Sequence, residues 1–318
     1  MARLVVLRGG HSMERDVSLV TGQRVAHALE RLGHEIHILD VEESTTEKLM
    51  ELEPEAAFVC LHGPGGEDGT VQAVLETLGI PYTGSGPLSS IRCMDKDYAK
   101  RAMQAAGILT PPFRTFLRKA MHEMGAAAAL DVAAGFLGYP LAVKPAREGS
   151  GLGLSRVEEP EALLEAVYEA FGYDGKIILE RWILGTEISV PILEPPGEAP
   201  KVLGLVEVRP RDGTYNFEAK YTPGMTDFAI PAEIPAVAAT RIEETALAAY
   251  RTLGCSGYAR VDTILEEGVP WVLDVKTIPG FTETSTLPLA AEAAGISFEK
   301  LVEMILDAAL QTEAPAKL

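Results

Sequence analysis

Cysteine is scarce in this sequence: Cys60, Cys93 and Cys255 are odd in number, far apart along the chain and without a C-x-x-C pair. That excludes a dithiol motif and fits three buried thiols in a reducing cytoplasm. Long apolar runs are lacking too. The opening MARLVVLRGG is too short for a signal peptide, and the most apolar later stretch, residues 125–137, is interrupted by Asp131, so no membrane partner is expected. Positive charge is in deficit, with 28 Lys and Arg against 46 Asp and Glu, for a formal net charge of −18. This balance opposes the phosphate neutralisation that nucleic-acid binding needs, so no nucleic-acid partner is expected, while a local basic pocket for a nucleotide is allowed. Low-complexity tracts and solenoid-period repeats are absent, and 47% hydrophobic residues exclude disorder for the bulk of the chain. The 318 residues suffice for two domains or three small ones.

What is present alternates between strand and helix patterns. Residues 3–8 read as a short buried strand, Gly9-Gly10 as a turn, and Val17, Val20, Val25, Leu29 and Leu32 recur at helical spacing. Strands are predicted at 35–39, 56–61 and 80–83, with a loop at 62–69 and a helix at 71–78. That alternation predicts a parallel sheet with active groups on loops at strand ends. A helix at 95–106 carries Lys96 and Lys100 and is broken by Thr110-Pro111-Pro112, which sets a boundary near residue 95. Strands at 141–145, 154–157 and 176–183, a glycine loop at 147–153 and a helix at 160–171 read as a small α+β unit. From Glu187 onward come β-rich segments, a helix at 236–253, strands at 257–265 and 271–277, and a final amphipathic helix after Ser297. The expected division is 1–94, 95–183 and 184–318.

Chemistry begins with the two late strands. A three-residue hairpin loop at Glu267-Gly268-Val269 would set Asp262 opposite Asp274 and Arg260 opposite Lys276, all on one face. Like charges so placed repel, so a cation belongs between the carboxylates; alternatively Arg260 and Lys276 neutralise them as a structural cluster. Oxygen ligands without His or Cys favour Mg²⁺ bridging a phosphate over Zn²⁺. Lys144, at the end of a strand, leads into the glycine loop, a pattern that cradles polyphosphate or forms an ordinary hairpin loop; it is neither a Walker loop nor a dinucleotide fingerprint. His62 opens a glycine-rich loop ahead of a helix, and Glu14 precedes the first helix; taken singly, each also fits a polar group or a favourable helix-end charge.

In order along the chain stand G-G-H-S-M-E-R-D-V-S-L (9–19), H-G-P-G-G-E-D-G (62–69), P-Y-T-G-S-G (81–86), M-D-K (94–96), V-K-P-A-R-E-G-S (143–150), E-A-K-Y-T (218–222), and R-V-D (260–262) followed by P-G-F-T (279–282). This series resembles the D-alanine-D-alanine ligase family of the ATP-grasp superfamily over nearly the whole chain. The resemblance implies an α/β and α+β architecture, a three-domain ATP-grasp fold with an N-terminal parallel-sheet domain. It implies that ATP and one or two Mg²⁺ ions, with Mn²⁺ able to replace them, are clamped between two α+β units of a cytoplasmic homodimer. Lys96 and Lys144 would hold phosphates, Glu180, Trp182, Ile183 and Glu187 the adenine and ribose, and Lys220 the γ-phosphate. Glu14 would bind the first D-alanine's ammonium near His62, and Glu14, Ser150 and Tyr221 match a hydrogen-bonded triad. Arg260 and the Gly280 backbone match oxyanion-stabilising groups, and Ser285 a contact to the second substrate's carboxylate. The implied reaction joins two D-alanines through an acyl phosphate for peptidoglycan precursors, with the 220–226 loop as a lid.

One segment departs from the family pattern, which has Glu-x-Asn-Thr where this chain has Asp274-Val275-Lys276-Thr277. A charged lysine has no lone pair and cannot ligate Mg²⁺. Lys276 either supplies its own charge in place of one metal, leaving Asp262 and Asp274 to hold one Mg²⁺, or leaves a nucleotide-binding pseudoenzyme. A paralogous ligase for another amino acid is the remaining alternative.

Overall fold

The structure is a computed structural model that describes residues 1–211, 213, 215–222 and 224–311. Three sheets organise it. The first is parallel, with β1 (Arg3–Arg8) between β2 (Glu35–Asp40) and β3 (Ala56–Val59). Residues 4–7 and the whole of β3 are buried, as expected of a parallel sheet covered on both faces. The strand expected at 80–83 is only an isolated parallel bridge between Ala57 and Tyr82, because Gly79 in a left-handed conformation and Pro81 leave little extended chain to pair.

The second sheet is antiparallel: β4 (Phe113–Leu117), β5 (Leu141–Pro145), β6 (Ser155–Val157) and β7 (Lys176–Arg181) lie in the order β4-β7-β5-β6. The third has β8 (Thr186–Leu193), β10 (Val206–Pro210), β11 (Thr226–Ala229), β12 (Tyr258–Glu266) and β13 (Val269–Lys276) in the order β11-β10-β8-β12-β13, with β9 (Lys201–Val202) paired to β8.

Two helices also pack on elements distant in sequence. The helix Lys96–Ala105, capped by the Asp95 carboxylate, contributes Ala99 and Met103 to the core under the third sheet, beside the helix Ala236–Leu253. The last helix, Phe298–Gln311, returns to the first helix, Arg15–Arg31, and to β3. There Leu301, Val302, Ile305 and Leu306 share a core with Val6, Phe58 and Phe281. All three cysteines are buried and free; Cys93 and Cys255, distant in sequence, have their sulfurs 3.6 Å apart.

The β12–β13 hairpin corrects one expectation while preserving its consequence. Its turn has two residues, Glu267 and Gly268, both at positive φ (49° and 81°), the geometry that suits the twist of paired strands. Near the turn the pairing is therefore shifted by one from the expected register, with Glu266 opposite Val269. An irregularity between Asp262 and Thr263 inserts Leu273 on β13 and restores the site pairing: Asp262 faces Asp274 and Arg260 faces Lys276.

Leu301 is fully buried where the last helix meets the first sheet. Leu301→Ala should lower unfolding free energy by about 2–5 kcal/mol, read from denaturant midpoints. A loss below about 1 kcal/mol, the size of an exposed substitution, would contradict this packing.

Candidate active site

One cleft lies between the second and third sheets, lined by Lys96, Lys144, Ser150, Glu180, Trp182, Ile183, Glu187, Lys220, Asp262 and Asp274. Alternation along paired strands explains the convergence: Glu180 on β7 faces Ala142 on β5, so Lys144 stands two residues further on the same face. Lys144 Nζ is 2.5 Å from Glu180 Oε1, and Lys100 Nζ is 2.7 Å from Oε2 and donates to Thr110 Oγ1 at 2.6 Å. Burial lowers the Lys100 ammonium to about 8, with Glu180 opposing; for Glu180, burial pushes upward but Lys100 and Lys144 prevail and hold it below its usual value. Lys100 was not among the expected site residues, although it lies one helical turn from Lys96.

Lys96 donates to the Glu148 carbonyl at 2.6 Å and lies 3.7 Å from Asp274 Oδ2. Burial favours neutral Asp274, yet Lys96 and Lys276 outweigh it and hold the carboxyl at about 2. Glu187 on β8 is pushed up to about 7 by burial, against the pull of Lys220. Lys220 sits on the short helix Phe217–Tyr221, started by the Asn216 side chain, and its ammonium is 4.9 Å from the Tyr215 ring centroid. Pro223 of the expected lid lies outside the described residues.

The remaining expected residues form a second group beside this cleft. Ser150 Oγ donates to Glu14 Oε1 and is 2.8 Å from the Tyr221 hydroxyl, joining three separate segments. Glu14 Oε2 is buried and finds no hydrogen-bond partner among the described residues. A Cβ at Gly63 or Gly149 would stand 2.8 or 2.5 Å from that oxygen, so only glycine permits these approaches to it. His62 is buried, with Nε2 3.2 Å from Thr21 Oγ1 and Nδ1 3.7 Å from Glu67 Oε1. Glu67, also missing from the expected set, has Lys276 Nζ 3.3 Å from its other oxygen.

Arg260 and Asp262, expected in separate roles, are paired: Nε and Nη2 reach the two carboxylate oxygens at 2.8 and 2.7 Å. Structural neutralisation is thus real for Asp262, while Lys276 lies closer to Glu67 than to Asp274. Gly280 and Ser285 are close, since a Cβ on Gly280 would lie 2.7 Å from Ser285 Oγ. Ser285 Oγ accepts the Thr282 N–H at 3.0 Å, and Thr284 Oγ1 donates to the Lys220 carbonyl at 3.0 Å, linking this turn to the Lys220 helix. Asp262 and Asp274 offer only carboxylate oxygens, and among the described residues no group of three or more His, Cys, Asp or Glu is arranged as a metal site. That donor set fits Mg²⁺ or Mn²⁺ completed by phosphate oxygens and water, not a closed all-protein cage.

Residues 102–307 match the family model for the D-ala D-ala ligase C-terminus, and residues 40–85 that for its N-terminus. A D-alanine--D-alanine ligase of Geotalea uraniireducens is 42% identical over 308 residues, covering 96% of this chain and 95% of the relative. One of Anaeromyxobacter is 43% identical over 308 residues, covering 96% of each. The crystal structure of the Bacillus anthracis D-alanine--D-alanine ligase complexed with ATP superposes with a TM-score of 0.83 at 34% identity, over 98% of this chain and 99% of that one. The VanG D-Ala:D-Ser ligase of Enterococcus faecalis gives 0.80 at 32% identity, over 96% and 98%.

A buried carboxyl raised to about 7 binds its proton more tightly when folded, so its contribution to stability falls as pH rises from its unfolded value through 7. Glu187→Gln should therefore gain stability relative to the unsubstituted protein between about pH 5 and pH 8. A stability difference that stays flat across that range would show that Glu187 ionises normally.

Proposed function

The chain belongs to the D-alanine--D-alanine ligase family, and on that premise we propose that it joins two D-alanines to D-alanyl-D-alanine for peptidoglycan precursors, consuming ATP. The observation that carries this reading is the Ser150–Glu14–Tyr221 cluster with its unpartnered Glu14 oxygen. A buried carboxylate oxygen set between two glycines suits a small ammonium, and the phosphate-type cleft begins at the same Ser150.

A carboxylate is a poor acyl donor. The first D-alanine, held by its ammonium at Glu14, attacks the ATP γ-phosphate through its carboxylate, giving an acyl phosphate and ADP. Lys96, Lys144 and Lys220 neutralise the phosphates, while Glu180, Trp182, Ile183 and Glu187 receive the adenine and ribose. Asp262 and Asp274 would hold Mg²⁺, which when bound withdraws charge from the phosphate oxygens. The second D-alanine, its carboxylate near Ser285, attacks as a free amine, and phosphate leaves. Arg260 engages Asp262 through Nε and Nη2, leaving further N–H donors that, with the Gly280 N–H, stabilise the tetrahedral oxyanion. Closure of the Lys220 segment keeps water from the acyl phosphate. The division 1–94, 95–183 and 184–318, a cytoplasmic setting and a homodimer complete the proposal; sedimentation tests the dimer.

Lys276 motivates a second reading, a nucleotide-binding protein without ligase activity. Incubation with ATP, Mg²⁺ and D-alanine, with ADP release and product mass measured, separates the two: dipeptide is expected, and ATP binding without product would leave the second reading. Ser150→Ala should lower kcat/KM for the first D-alanine by about 10–150-fold, the size of a hydrogen bond to a charged group. An unchanged value would remove Ser150 from the mechanism.

A further inference from the structure

Lys276 ends β13 on the hairpin face that carries Arg260, Asp262 and Asp274. Its ammonium lies 3.3 Å from Glu67 Oε2 and 3.8 Å from Asp274 Oδ2, and Lys276 and Glu67 are both buried. Glu67 comes from the loop after β3, so this contact ties the first sheet's loop to the third sheet's edge strand. Its other oxygen accepts the Gly63 N–H at 3.0 Å, with His62 Nδ1 3.7 Å away. Both oxygens of Glu67 are therefore engaged.

This arrangement limits how many divalent ions the site can take. Asp262 and Asp274, facing across the hairpin, suffice for one ion that draws its other ligands from phosphate and water. A second ion beside Asp274 would need another oxygen donor, and Glu67 is the carboxylate closest to Lys276. Lys276 stands between them, and a charged ammonium has donors only and repels a cation.

Resting on the reading of this cleft as a Mg²⁺–ATP site, we propose that Lys276 is a built-in cation that replaces a second divalent ion, so the nucleotide complex holds one metal ion per chain. The Glu67 contact keeps that charge in place during turnover. Lys276 thus acts on substrate placement through fixed charge rather than by proton transfer.

Mn²⁺ serves as the probe, with a non-hydrolysable ATP analogue and the full-length protein, counted by electron paramagnetic resonance after removal of free ions. One Mn²⁺ per chain with an isolated-ion spectrum is expected for the unsubstituted protein. Lys276→Asn, which supplies an amide oxygen and releases Glu67, should take up two, with the altered lines of a coupled pair. Two ions in the unsubstituted protein, or one in a nucleotide-binding Lys276→Asn, would overturn the proposal. Should the variant not fold, the unsubstituted count decides alone: one supports the proposal and two overturns it. The count does not depend on turnover, so one ion without dipeptide synthesis would sink the ligase reading only, and two ions with normal synthesis would sink this inference only.

Discussion

Buried charge that has to be paired is the constraint on which this molecule depends. Glu180 between Lys100 and Lys144, Asp262 under Arg260, Asp274 near Lys96 and Lys276, and Glu67 against Lys276 lie where the three sheets converge. Each carboxylate would be costly to desolvate alone, and each cation likewise; together they hold one another ionised. Because Lys96 and Lys100 come from a helix and Glu67 from the loop after β3, charge compensation also ties those segments to the second and third sheets. The hydrophobic cores act with these pairs: Ala99 and Met103 from the helix of Lys96 share a core with Val272 and Val275 from the strand of Asp274.

A site assembled this way is already charged for a polyphosphate. Lys96 and Lys144 are engaged by a carbonyl or a carboxylate and Lys220 lies over the Tyr215 ring, so an arriving nucleotide exchanges partners with side chains already placed. Arg260 shows the same economy of geometry: a guanidinium fork can hold Asp262 on one edge and keep donors on the other. Glu14 is the exception, with one oxygen paired and one orphaned, and that asymmetry marks where a substrate cation belongs.

Much of the fold and most of the residues that gather at the candidate site are legible in the sequence because motif order and local pattern point the same way. The hairpin is instructive. Its turn is one residue shorter than the pattern predicts, yet Asp262 faces Asp274 as expected because a bulge, which no pattern signals, shifts the register back. Lys100 was visible as the i+4 neighbour of Lys96, but nothing local says that its charge meets Glu180 on another sheet. Glu67 lies in the 62–69 loop motif, and only folding brings it to Lys276. The destinations of helices Lys96–Ala105 and Phe298–Gln311 were hidden for the same reason: amphipathic spacing shows that a face is buried and not against what.

The return of the last helix to the first sheet has a consequence for biosynthesis. The apolar surfaces of β1, β3 and the first helix form one core with Leu301, Val302, Ile305 and Leu306, so a growing chain exposes them until residues 298–311 have left the ribosome. The two later sheets are covered by segments made before or with them, the helix Lys96–Ala105 included, and can form while synthesis continues. Of the three sheets, the one made earliest is therefore completed latest, and its half-built face is where a nascent-chain chaperone would be needed most.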